Sequence, residues 1–197
     1  MYFLSIYEPD IYTCIAQSIK LSSSDDRTIT RVTGTHLEGK TDSDVDDFTS
    51  IQIVTLFPEN LQDTFKKASR ICVVYAGIKT ITKADLKQFG KRLTHLLLQG
   101  NRLEVIDADL FNYNTKLKLV ELSDNQIKVV GKGVFHDLRF LSDLNFWDNP
   151  CFNGDAHRPR KLKKLIDDIE EHCKSSIVSV EVDKEVREEF SWELLSN

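Results

Sequence analysis

Residues 93–111 read LTHLLLQGNRLEVIDADLF, and residues 117–135 read LKLVELSDNQIKVVGKGVF. Laid one above the other, Leu93, Leu96, Leu98, Asn101, Leu103, Ile106 and Phe111 meet Leu117, Val120, Leu122, Asn125, Ile127, Val130 and Phe135. A third copy opens at Leu141 and carries Leu144, Phe146 and Asn149 before Pro150 ends it. The template LxxLxLxxNxLxxIxxxxF thus recurs every 24 residues. A fixed period of that length marks coils stacked on one another, because one coil cannot bury its apolar face alone.

Each residue type in the template has a physical task. Leu96 and Leu98 alternate as a short strand does, so both point to one face, into the coil. Asn101, Asn125 and Asn149 fall in the turn that follows, where an amide side chain both donates to and accepts from buried backbone, building an asparagine ladder. Phe111 and Phe135 fill the convex side, where the chain returns. Upstream, Ile71, Val73, Ala76, Ile78 and Ile81 keep the template, with Ala76 in the asparagine's place and one extra residue before the next turn. Ile51, Ile53, Leu56, Phe57, Leu61 and Phe65 read as a further, degenerate turn. Five strand-bearing turns are therefore expected over residues 45–149, with atypical turns at the ends.

This pattern resembles the leucine-rich repeat, in its extracellular form with a phenylalanine late in each repeat. The resemblance implies an α/β solenoid, right-handed and curved, with a parallel sheet lining its concave side. Residues 150–174 carry Cys151, Pro159 and one apolar stripe at helical spacing, Leu162, Leu165, Ile166, Ile169 and Cys173. They resemble a C-terminal cap, which implies a Cys151–Cys173 disulfide; two free thiols on a helix are the alternative. Basic residues open this helix and Asp167, Asp168, Glu170 and Glu171 close it, against the macrodipole. Docking and the disulfide, rather than propensity, are expected to hold it.

Residues 1–44 read as an N-terminal cap. Tyr12–Ala16 and Arg27–Leu37 are β-rich runs joined by Ser22–Asp26, the pattern of a hairpin or cap sheet. With the repeats and the C-terminal cap, residues 11–174 are similar to secreted insect leucine-rich-repeat proteins. One departure stands out: no cysteine precedes Cys14 to serve as the partner such caps carry. Cys72, between Ile71 and Val73, falls on the concave side; a free thiol and a Cys14–Cys72 pair are both open. The apolar start Met1–Tyr7 runs into Glu8 and Asp10 without a basic lead, which is not a signal peptide. A secreted protein whose leader is already removed, and a cytosolic one, are the two expectations. In residues 175–197, Val182, Val186, Phe190 and Leu194 fall at i, i+4 spacing beside Trp192. Either this is a frayed tail or an amphipathic helix that makes a homo- or hetero-oligomer.

Composition narrows the function. The chain has 26 Lys and Arg against 31 Asp and Glu, for a net charge of −5. Its single locally basic stretch, Arg158 to Lys164, opens the cap helix, so no nucleic acid is expected as partner. No apolar run reaches the ~18 residues of a membrane span. The five histidines show no metal-ligand spacing, and neither a nucleophile elbow nor a phosphate-cradling loop occurs. No catalysis, cofactor or metal is expected.

What remains is a surface. Between the inward positions lie Ser50, Gln52 and Val54; Arg70, Cys72 and Val74; His95, Leu97 and Gln99; Leu119, Glu121 and Ser123; and Asp143, Asn145 and Trp147. Strands stack under about 5 Å apart, so Cys72, Val74, Leu97 and Leu119 would adjoin as an apolar patch rimmed by Arg70, His95, Glu121 and Asp143. Such a patch suits a protein or other macromolecular ligand, with Trp147 as its anchor. Two other readings compete: a self-assembling scaffold subunit joined through residues 175–197 or Cys14, and a cytosolic adaptor or inhibitor.

Overall fold

The computed structural model describes residues 13–16, 18–21, 29–33, 39–50 and 56–174. In chain order its strands are β1 (Thr13–Ala16), β2 (Ser18–Leu21), β3 (Ile29–Thr33), β4 (Asp47–Ser50), β5 (Arg70–Val73), β6 (His95–Leu97), β7 (Val105–Ile106), β8 (Leu119–Glu121), β9 (Val129–Val130), β10 (Asp143–Asn145) and β11 (Asp155–Ala156). The α-helices are α1 (Leu61–Thr64), α2 (Lys83–Lys87) and α3 (Pro159–His172). One sheet runs β1-β4-β5-β6-β8-β10-β11, parallel throughout except for the antiparallel closing strand β11. A small parallel pair, β7 and β9, runs on the returning side. This is the right-handed leucine-rich-repeat solenoid, in which each strand reaches its parallel neighbour by a crossover.

In-register pairing puts Phe48, Ile71, Leu96, Val120 and Leu144 in one row, all fully buried. The leading apolar position of each turn is Val45, Ala68, Leu93, Leu117 and Leu141, spaced 23, 25, 24 and 24 residues apart. The first turn therefore differs from the sequence reading. Its strand is Asp47–Ser50, three residues ahead of Ile51 and Ile53, with Phe48 and Ser50 in the two inward positions. Ser50 pairs with Val73 and is completely buried, so it belongs to the core and not to the concave face. Register in a half-buried strand follows the inward set, and here Val45 and Phe48 supply that set. Gln52 and Val54 lie outside the described residues. Aromatic rings fill the wider returning side: Phe48 packs on Phe65 at 4.7 Å between centroids, and Phe111 on Phe135 at 5.9 Å.

Buried asparagines tie each turn to the one before. Asn101 Nδ2 donates to Val73 O and Leu98 O, each at 2.8 Å, while its Oδ1 accepts from Ile78 N at 3.0 Å. Asn125 donates to Leu98 O and Leu122 O at 3.0 Å and accepts from Leu103 N at 3.1 Å. Asn149 donates to Leu122 O at 3.0 Å and Phe146 O at 3.2 Å, and accepts from Ile127 N at 3.2 Å. A fourth buried amide, Asn114, donates to Leu86 O and Gly90 O of the preceding turn, both at 3.0 Å. The turn after each strand also needs a left-handed residue. Tyr75, Gly100, Asp124 and Asp148 take it, with φ from 52° to 69°. At Gly100 a Cβ would sit 2.1 Å from the Tyr75 ring, so glycine serves there for space as well as for φ.

Both ends are closed. β1 continues the parallel sheet along β4, while the antiparallel hairpin is made by β2 and β3. β1, part of a run read from sequence as belonging to a hairpin or cap sheet, is not in the hairpin but covers the edge of β4, where unpaired backbone would otherwise face out. Cys14 is in register with Phe48, and Cys72 with Thr49 one strand further on. Two strand spacings are about 10 Å, beyond the roughly 7 Å a disulfide spans, and Cys72 is a free thiol. At the other end α3 starts on Pro159 and buries Leu162, Leu165, Ile169 and Cys173 against the last turn. Cys173 bonds Cys151 with a Cα separation of 5.1 Å. Cys173 O accepts from Val130 N at 2.7 Å, and Glu170 accepts from Gly133 N at 2.9 Å. These tethers hold a helix whose charges oppose its own dipole. The pattern in 175–197 lies outside the described residues.

Asn125→Ala leaves the buried Leu103 amide without its partner and removes one of two donors from the carbonyls of Leu98 and Leu122, which Asn101 and Asn149 still serve. Its unfolding free energy should drop by about 3 kcal/mol, read as a lower urea midpoint at unchanged slope.

Candidate recognition face

The outward positions of the strands form two rows across the concave sheet. One is Asp47, Arg70, His95, Leu119 and Asp143; the other is Thr49, Cys72, Leu97, Glu121 and Asn145. Just past the strand ends come Val74, Gln99, Ser123 and Trp147. Of the described residues, the fold gathers onto one face the side chains that the repeat register assigns to it, with four corrections.

Arg70, expected on a solvent rim, is only 8% exposed and lies against Asp47, Nε to Oδ2 3.6 Å. Its guanidinium lies between two neighbouring strands instead of projecting into solvent. Val74 and Ser123 are likewise buried, each where the chain leaves its strand for the turn. Ser50, as described, is in the core. Leu97 and Leu119 are half-buried, adjoining across β6 and β8, and remain as the apolar centre.

The C-terminal half of the face is a polar network around one ring. Trp147 is 48% exposed, and its indole N–H donates to Asp155 Oδ1 at 2.7 Å. Asp155 also faces His157 Nε2 at 2.8 Å, and His157 Nδ1 lies 3.3 Å from Asp143. Ser142 donates to Asp143, Asn145 donates to Glu121 at 2.9 Å, and Glu121 accepts from the Ser123 amide at 2.9 Å. Asp155 and His157 are additions to the face that the sequence reading missed. They arrive on and just after β11, a two-residue strand after the last repeat, too short to show any alternation. The result is a rigidly held aromatic beside carboxylates, the kind of pre-ordered anchor that loses little entropy on binding. On the central strand β6, His95 Nδ1 sits 2.9 Å from Thr94 Oγ1. Among the described residues no group of His, Cys, Asp or Glu could hold a metal ion.

Cys72 lies in the middle of this face. Burial, reinforced by the negative charge of Asp47 and opposed by a hydrogen bond with Thr49, pushes its thiol up to about 11. The thiolate is the nucleophile, so alkylation of folded protein by iodoacetamide at pH 8 should be slow. It should climb about tenfold per pH unit up to about pH 11, while a rate already flat at pH 9 would contradict this environment.

The repeats also relate the chain to known proteins. The leucine-rich-repeat family model matches residues 91–150. Over 70 residues, 36% of this chain, it is 37% identical to the transforming growth factor beta activator LRRC32 of Mus musculus, and spans 11% of that protein. Among solved structures, the Drosophila Toll–Spatzle complex is similar at 17% identity and a TM-score of 0.48, over 58% of this chain and 16% of that one. With its 24-residue turns, its asparagine ladder and the match across residues 91–150, this chain has the leucine-rich-repeat fold.

Proposed function

We propose that this protein is a non-catalytic recognition module that binds a protein ligand on its concave sheet, in an extracellular setting. The observation that carries the reading is Trp147, half exposed yet fixed by its bond to Asp155, at the end of a face whose centre is Leu97 and Leu119. A large ring costs free energy to leave wet and gains most when a partner covers it. The polar groups around it, Glu121, Asp143, Asn145, Asp155 and His157, form the rim that gives such a surface its specificity. The Cys151–Cys173 bond supports an oxidising compartment, since structural disulfides are rare in reducing ones. The mouse relative is named as a transforming growth factor beta activator, a name that points to a protein partner.

The test is a binding screen of the full chain against a panel of secreted and cell-surface proteins, followed by variants. Leu97→Glu and Trp147→Ala should leave the melting temperature within about 2 °C of wild type, since surface changes cost little, and each should abolish capture of the ligand found. Leu98→Glu, one residue away, should unfold the array because it buries a charge. Ligands lost equally to a substitution on the opposite side, such as Val105→Glu, would overturn the concave assignment. Peptide mapping of non-reduced protein from its native source should recover Cys151 and Cys173 linked; two alkylatable thiols would point to a reducing compartment instead.

A further inference from the structure

The loops that lead into the strands carry a second surface, scattered over the sequence by the repeat period. Segments 63–69, 87–92, 112–118 and 136–142 together hold eight Lys and Arg and two Asp, in a chain whose net charge is −5. Successive loops are stacked and locked. The Thr94 amide donates to Ser69 O at 2.7 Å, that of Lys118 to Thr94 O at 2.7 Å, and that of Ser142 to Lys118 O at 2.9 Å. Arg92 Nε donates to Ala68 O at 3.2 Å, and Asn114 bonds Gly90 O, so loop is tied to loop by side chains as well. Counted from the leading apolar residue of each turn, Lys67, Arg92 and Lys116 hold the same place in three consecutive turns, followed by Phe140. Lys91 and Arg139 stand one residue earlier in their turns. Lys87, Lys91, Arg92, Lys116, Lys118 and Arg139 are all exposed.

Lys67 is engaged by Asp44 at 3.1 Å, which marks one end of the column. Beyond it the cations run along the solenoid axis with a rise of about 5 Å per turn. Two exposed rings lie among them, and both are covered by ammonium groups: Lys87 lies 5.4 Å from the centroid of Tyr113, and Lys116 lies 4.2 Å from that of Phe140. Held over rings, these lysines are pre-positioned rather than swept through solvent. This edge is separate from the concave face, because its residues precede the strands whereas Trp147 follows one.

We infer that this edge binds a linear sulfated polysaccharide, laid along the solenoid axis across three to four turns. A one-dimensional array of cations suits a polymer with regularly repeated anionic groups, since a single small anion can meet only one or two of them. Single-stranded nucleic acid binds through open aromatic faces that stack bases, and here the rings are already occupied by lysine. The disulfide favours an oxidising, extracellular setting, where sulfated glycans are the linear polyanions at hand. The inference does not rest on what the concave face binds.

Full-length protein should bind a heparin oligosaccharide in titration calorimetry, with affinity falling about a hundredfold from roughly 50 to 200 mM salt as counterions are released. Lys91→Ala/Lys116→Ala/Lys118→Ala/Arg139→Ala should keep the wild-type circular dichroism and melting temperature. It should bind at least about tenfold more weakly, with a salt slope reduced by about one unit per cation removed. The matched control, Arg160→Ala/Lys161→Ala/Lys163→Ala on the outer side of α3, should bind as wild type. Equal loss in the control, no heparin binding at low salt, or tighter binding to single-stranded DNA or to phosphatidylserine vesicles of equal charge would each overturn the assignment. Failure of the concave variants to affect a protein ligand would leave this result untouched, so the two readings fall separately.

Discussion

Buried side-chain amides set the pitch of this molecule. Apolar burial brings one turn onto the next, but it is non-directional and would tolerate a slip along the axis. Asn101, Asn125 and Asn149 do not tolerate it, because each must meet carbonyls of its own turn and of the turn before while accepting an amide from that earlier turn. A shift of one residue would leave three or four buried polar groups unpaired, at about 1–3 kcal/mol each. Where the asparagine is replaced by Ala76, the second turn is held by its neighbour instead, through Asn101 and the Ile78 amide.

Fixing the pitch also fixes what the surface presents. Residues 24 apart in sequence become neighbours about 5 Å apart in space, so any residue type repeated at the same place in each turn becomes a column. This produces the line of cations along the edge leading into the strands, while the apolar centre of the concave side comes from two different places in the turn, Leu97 lying diagonally across from Leu119. Net charge is a poor guide to such a chain: the whole carries an excess of acid, yet the winding segregates base to one edge and leaves Glu121, Asp143 and Asp155 around Trp147.

Most of the fold was legible because the template repeats. Three strong copies located β6, β8 and β10, and the stripe from Leu162 to Cys173 located the cap helix. The first turn was misplaced by three residues because its inward pair is Phe48 and Ser50. A serine in a core position breaks the apolar alternation, while Ile51 and Ile53 imitate it. The candidate face was legible as a register but not as a contour. Pattern alone does not show that Arg70 nestles against Asp47, that Ser123 is buried, or that Asp155 on β11 and His157 just after it come beside Trp147. The basic edge escaped a linear reading altogether, since no more than two of its cations are adjacent in sequence. Asn114 carries no repeat signal either, because the next turn has Leu138 in its place.

The account stands or falls on the ladder that sets the pitch, and native-state hydrogen exchange measures it directly. The amides of Ile78, Leu103 and Ile127, which donate to asparagine side chains in turns without regular structure, should exchange as slowly as those of the central strands and only through global unfolding. Exchange at the rate of open loop amides would mean that the asparagines do not bind these groups in solution, and that the coils are stacked in some other way.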